Sequence, residues 1–265
     1  MRSAITQMWG RLNIEPTEFS NRSFYSSSRT FVTMTWLTHQ WILAGMVSSA
    51  ARFVPIPFVD DVIRGQCRRY VVTRTLEAHE RTDSLKELRA YYADDSGCIA
   101  GCLGMLAKAP VKLLLFPIRK IVAILTSVRG VPMEIIRMVL LGRTLDRLLK
   151  EETIHAGPVK PQQVLAMREA FEEAFARMDF RVVRAAMSDA LSGVSGWKES
   201  AMDLAANVAG RENQAQSAGD LQADANMEAG AKQVEEVLDR PELVAVFAEF
   251  DERFDEAYST KAIDA

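Results

Sequence analysis

The sequence predicts an all-α fold, a multi-helix bundle of about eight to ten helices. Three observations lead there. Apolar residues recur at intervals of three and four along most of the chain, the spacing of a helix with one buried face. Ala, Leu, Met, Arg and Glu are abundant, and only 9 prolines and 14 glycines interrupt 265 residues, a balance that favours helix over sheet. The composition, 48% hydrophobic and 25% charged, is ordinary globular material, long enough to bury a sizeable core.

Residues 3–14 carry Met8, Trp9 and Leu12 as a short amphipathic helix. Glu15 to Arg29 reads as a polar connector with aromatic anchors. Thr30 to Ala51 follows without a formal charge if His39 is neutral. Its length matches a bilayer, but its threonines, serines, His39 and Gln40 predict a core or interfacial helix rather than a spanning one.

Phe53 to Glu80 is the clearest joint in the chain. Pro55 and Pro57 stiffen a corner and hold Val54 and Ile56 extended. Asp60 and Asp61 then fall in the first turn of a helix, where its positive end favours carboxylates. Val62, Ile63, Cys67, Tyr70 and Val71 form its apolar face, with Arg64, Arg68 and Arg69 largely off it. Ser84 and Glu87 have the spacing of a capping box, predicting a short helix to about Ala93.

Gly97, Gly101 and Gly104 lie among small residues that would permit close helix approach. Cys98 and Cys102 share that face; two thiols without further Cys or His nearby predict buried small residues, not a metal site. Lys108 to Val128 is the most hydrophobic region, interrupted by Lys108, Lys112, Arg119 and Lys120. It fits either a central core helix or one lying along lipid headgroups with its cations reaching outwards.

An apolar helix, the corner Pro55-x-Pro57-Phe58-x-Asp60-Asp61, a basic helix and then a glycine-rich apolar hairpin resemble the EcsC-like and YcjF-type helical proteins of bacteria, over roughly residues 30–150. The resemblance implies a helical, membrane-associated protein and supplies no catalytic residue. The apolar stretches of this chain carry more charges than a membrane-inserted member of such a family should.

Val131 to Glu152 gives another basic amphipathic helix. Its Arg143-Thr144-Leu145 echoes Arg74-Thr75-Leu76, a hint of duplication. His155 to Pro161 is the best boundary, because charge reverses there. Residues 1–150 hold 21 Lys/Arg against 12 Asp/Glu, and residues 151–265 hold 11 against 23. The chain therefore divides into a basic, apolar-rich helical part, 1–152, and an acidic helical part, 160–265, as two subdomains or one continuous body. Pro161 opens a helix with the stripe Val164, Met167, Phe171, Ala174, Phe175 and Met178. Asp179 to Leu191 and Trp197 to Ala209 continue as helices. Arg211 to Lys232 is an exposed helix or a link. Pro241 opens the last helix, whose seam is Leu243, Phe247, Phe250, Phe254 and Tyr258 beside an acidic face.

Chemistry is sparse in the sequence. His39, His79 and His155 are scattered, and no phosphate loop, dinucleotide fingerprint, zinc-protease motif or paired C-x-x-C occurs. The expectation is a non-enzymatic protein with no catalytic residue, no metal and no cofactor. Nucleic acid is not an expected partner, since no recognition motif occurs. Three cysteines and the lack of a signal-peptide core at the N-terminus predict a cytoplasmic location, the inner face of the membrane included.

The charge asymmetry marks either two halves that attract one another or one half that meets an anionic surface. The leading expectation is peripheral association with anionic membrane, with Arg64, Arg68, Lys112, Arg119 and Lys120 as contacts. The alternative is a soluble scaffold that binds a protein partner through the last helix at Phe247, Phe250 and Phe254. A third class is an enzyme whose site assembles over distance, with His39 or His79 beside carboxylates in a deep polar pocket.

Overall fold

The computed structural model describes residues 22–53, 59–93, 130–151, 153–154, 158–210 and 221–263. Among them every regular element is helical and there is no strand, so the fold is an all-α multi-helix bundle. The helices are α1 (Arg22–Ala50), α2 (Val59–Ala78), α3 (Arg89–Tyr92), α4 (Val131–Lys150), α5 (Pro161–Arg177), α6 (Arg181–Ser192), α7 (Trp197–Gly210), α8 (Ala225–Leu238) and α9 (Pro241–Ile263). Short 3-10 turns follow α1 at Ala51–Phe53 and precede α3 at Thr82–Leu85. Met1–Thr35 is one unit, of which the helical backbone from Arg22 is described; Trp36–Ala265 is a second, compact unit.

Within the compact unit, the end of α1 is the centre. Every residue from Trp41 to Ala51 is buried, which accounts for a stretch with apolar residues on all sides of the helix. Glycines let its neighbours approach. A side chain at Gly45 would meet the Ile135 backbone of α4; one at Gly142 of α4 would overlap the Trp41 indole; one at Gly230 of α8 would press on the Met46 methyl. Two polar pairs are buried at this centre. Trp41 Nε1 donates to Thr75 Oγ1 at 3.1 Å, and Ser48 Oγ donates to a Glu134 carboxylate oxygen at 2.7 Å. Such pairing is what makes burial of these groups tolerable.

Around this axis α2 packs on α4, α5 on α9, and α8 on α6 and α7. The Phe171 ring of α5 meets Phe250 of α9 edge to face at 5.5 Å and Tyr91 of α3 at 6.3 Å. One hydrophobic cluster runs through all these helices, drawing on residues from both the basic and the acidic stretches. Ion pairs also cross between the two: Arg143 to Asp251 at 2.7 Å, and Arg147 to Asp255 at 2.6 Å. Part of the opposite charge of the halves is thus neutralised inside the molecule.

Helix starts follow local chemistry. Pro161 and Pro241 open α5 and α9, Asp60 and Asp61 lie in the first turn of α2, and Asp224 caps α8 by accepting from Asn226 N and Met227 N. Gly196, at φ +78°, turns the chain between α6 and α7, a conformation other residues adopt only under strain.

Three expectations are corrected. α1 begins at Arg22, inside the stretch read as a polar connector; serines are weak helix formers but do not forbid one. The capping box at Ser84 and Glu87 does not form. Ser84 is buried and accepts from Arg81 Nη2, while Glu87 accepts from the distant Val159 N at 2.7 Å, so a 3-10 turn and a single helical turn replace the helix. Finally, Arg211 to Lys232 is divided, with α8 starting at Ala225. Residues 3–14 and the stretch from Gly97 to Val128 lie outside the described residues.

Candidate functional site

Arginines from three helices converge on a shallow cleft. Arg68 comes from α2, Arg137 from α4 and Arg168 from α5, with Tyr91 and Tyr92 from α3 at one side. Met138, Leu141 and Phe171 form the apolar floor, and Glu172 is the one carboxylate among the described lining residues. Helix packing produces the convergence, and helical spacing sets which side chains face it. On α5, Arg168 and Glu172 are one turn apart and flank the buried Phe171; on α4, Arg137 precedes the buried Met138 at the surface edge.

Each guanidinium is held differently. Arg168 Nη1 donates to the carbonyls of Ala90 and Ala93 at 3.2 and 2.7 Å, closing the carbonyl end of α3, where a cation is favoured. Arg137 lies over the Phe175 ring at 4.9 Å and the Phe171 ring at 5.9 Å, and pairs with Glu172. That pair is not sealed: the Glu172 side chain is 49% exposed against 24% for Arg137. Arg68 lies on the α2 side of the cleft and, like Arg168, has further interactions within the molecule.

The electrostatics around α3 are positive. Burial pushes the Tyr92 hydroxyl pKa up, while the charges of Arg69 and Arg89 pull it down. Tyr91 is fully buried, donates to Leu141 O at 3.2 Å, and burial drives its pKa far above the usual range. It is a structural anchor, not an acid or base. The enclosed part of the cleft is about 10 Å³, room for about one water, so any ligand sits at its mouth.

The residues singled out from sequence fall in three groups. Arg64 lies one turn before Arg68 on α2, its side chain 25% exposed and 3.7 Å from Asp61; its buried Nε has no hydrogen-bond partner. Near it is Arg52, whose pKa is lowered by burial and then by the Arg64 charge. Lys112, Arg119 and Lys120 lie outside the described residues. Phe250 and Phe254 are fully buried and Phe247 is 6% exposed, with α9 laid along α5. The rings expected as a partner-binding seam are therefore part of the intramolecular core.

Sequence reasoning missed Arg137 and Arg168, which join Arg68 only through tertiary contacts. Both histidines of the third reading do stand beside carboxylates, though it named no partners and they do not line this cleft. His39 stands between two carboxylates of α8, its Nε2 2.9 Å from Glu228 and its Nδ1 2.9 Å from Glu235. The Glu235 hydrogen bond raises its pKa against the effect of burial, with Glu228 adding to the rise. His79 Nε2 is 2.8 Å from Asp146, which Lys150 also pairs at 2.7 Å. Burial would raise the Asp146 pKa, but these two partners hold it below the usual value. Neither histidine lines the arginine cleft.

Among the described residues no group of His, Cys, Asp and Glu is arranged to hold a metal ion, and no helix is long and apolar enough to cross a membrane. Cys67 is buried, and burial raises its thiol pKa far above the reactive range. Comparison with family models, curated proteins and solved structures found no match.

Proposed function

We propose that the protein associates peripherally with anionic membrane through its basic, apolar-rich N-terminal half. The observation that carries this reading is the meeting of Arg68 and Arg137 of that half at one cleft, where Arg168 joins them from α5, with Arg69 and Arg89 beside it. Beyond Ala93 the same half of the chain passes Asp94 and Asp95 and then reaches the apolar stretch Lys108 to Val128, which carries Lys108, Lys112, Arg119 and Lys120. A cationic surface and an apolar, basic segment in one half of the chain supply both parts of interfacial binding: attraction to headgroups, about 1 kcal/mol per Lys or Arg near the surface, and burial of apolar side chains. The excess of 21 Lys/Arg over 12 Asp/Glu in residues 1–150 supports the same reading, as does the resemblance to the EcsC-like and YcjF-type proteins. The cell compartment that fits it is the cytoplasmic face of a membrane.

The test is charge reversal. A variant with Arg64, Arg68, Lys112, Arg119 and Lys120 all changed to Glu is to be floated with vesicles containing anionic lipid, beside the wild type. Loss of flotation by a protein that remains helical and melts cooperatively by circular dichroism is the expected result. Undiminished flotation of the reversed variant overturns the electrostatic assignment.

A further inference from the structure

We infer that His39 is a proton-dependent latch: with both ring nitrogens protonated it holds the N-terminal half of α8 against α1, and the loss of one proton lets that half open. The latch stands apart from the arginine cleft and does not depend on the membrane reading.

The placement of the ring calls for the second proton. Nε2 lies 2.9 Å from a Glu228 oxygen, and Nδ1 lies 2.9 Å from a Glu235 oxygen. A neutral imidazole has one N–H and one lone pair, so it donates to only one of two carboxylates. The other contact would then set a lone pair against an anion. The imidazolium donates to both, and such charge-assisted bonds are stronger than neutral ones. The ring is 21% exposed, so water can take the proton.

The surroundings leave these two carboxylates in control. α1 carries no other charge from Trp36 to Ala50. From α2, Tyr70 donates to the neighbouring Gln40, with Arg74 over its ring. On α8, Lys232 is exposed. The charged residues of α6 and α7, which pack on α8, are Arg181, Arg184, Asp189, Lys198, Glu199 and Asp203, all exposed. Among the described residues His39 pairs with none of these cations or anions, only with Glu228 and Glu235.

The two carboxylates are unequal, which decides where opening starts. Glu228 is 50% exposed and Glu235 22%, so Glu228 turns to water at the smaller cost. It lies in the first turn of α8, and helix ends open more readily than interiors. The same half carries Gly230, where α8 closes on the Met46 methyl of α1, Trp197 of α7 and Leu191 of α6. Opening there uncovers an apolar junction of three helices. The buried Val234, Val237 and Leu238 keep the other half in place.

The experiment is amide hydrogen exchange on the full chain from about pH 5.5 to about pH 8.5. The quantity read is the ratio of exchange in residues 228–231 to that in residues 235–238, which cancels the hydroxide dependence common to all amides. In the wild type this ratio is expected to rise about tenfold with pH, the size of one charged hydrogen bond. His39→Gln and Glu228→Gln should each give a ratio that does not change with pH. Magnetic resonance of labelled histidine rings supplies a second reading. The His39 signals, identified by their loss in His39→Gln, should titrate with the same midpoint as the ratio.

A wild-type ratio that is flat with pH overturns the latch, and so does an equal rise in His39→Gln. A His39 ring already neutral at the acid end of the range contradicts the doubly protonated clamp. Should His39→Gln fail to fold, Glu228→Gln, at a half-exposed position, still decides the matter: a rise as large as that of the wild type overturns the latch.

Discussion

Replacing Gly45 by alanine probes the centre of the bundle. The added Cβ would stand 2.6 Å from the Ile135 Cα and 3.2 and 3.3 Å from its Cβ and Cγ1. Ordinary carbon contacts lie at about 3.5–4.0 Å, and the nearest atom is backbone, which no rotamer change can remove. Helices α1 and α4 must therefore separate. Overpacking of this kind costs about 1–3 kcal/mol, while alanine returns about 1 kcal/mol of helix propensity.

Because the clash is with backbone, the cost falls at the upper end of that range and the net loss is about 2 kcal/mol. A fall in Tm of about 4–8 °C follows for a chain of this size. Gly65→Ala supplies the control, because that position, within α2, has no described atom within 4 Å of an added Cβ. It should gain the propensity term alone and melt about 2–4 °C higher. The assay is thermal unfolding by circular dichroism on both variants beside the wild type. If the two alanines shift the melt in the same direction, the close approach of α1 to α4 is wrong.

Other outcomes follow from the same contacts. Phe250→Ala should cost about 3–5 kcal/mol, because the ring is fully buried against Phe171; denaturant titration checks this, and a near-neutral effect would return the ring to the surface. His39 has a raised folded pKa, so its clamp stabilises fully below the unfolded value of about 6.5 and is lost as pH rises through the raised value. The Tm difference between wild type and His39→Gln should accordingly shrink from about pH 5.5 to about pH 8.5; a difference constant with pH contradicts the clamp.

Local rules carried much of the fold. Pro161 and Pro241 open helices because each removes an N–H that would have no partner there, and their apolar stripes, such as Val164, Met167 and Phe171, are buried as the period predicts. Where Ser84 and Glu87 had the right local spacing, a distant competitor decided the outcome, since Glu87 found Val159 N. Long-range convergence was illegible for the same reason. His39 meets α8 across 196 residues of sequence, and nothing near His39 signals a carboxylate pair.

The cleft was half legible. Arg68 stood out as a cation off the apolar face of its helix, whereas nothing local singled out Arg137 and Arg168, which packing brings to it from other helices. The charge reversal near residue 150 marked two real features of the sequence, yet Arg143 and Arg147 turn part of it inward to Asp251 and Asp255.

Flotation of the wild-type protein with neutral and with anionic vesicles, each at low and at high salt, tests the central claim most directly. Peripheral electrostatic association requires binding to the anionic vesicles alone, weakened as salt screens the arginines. Failure to bind either vesicle at any salt, or equal salt-resistant binding to both, would contradict it.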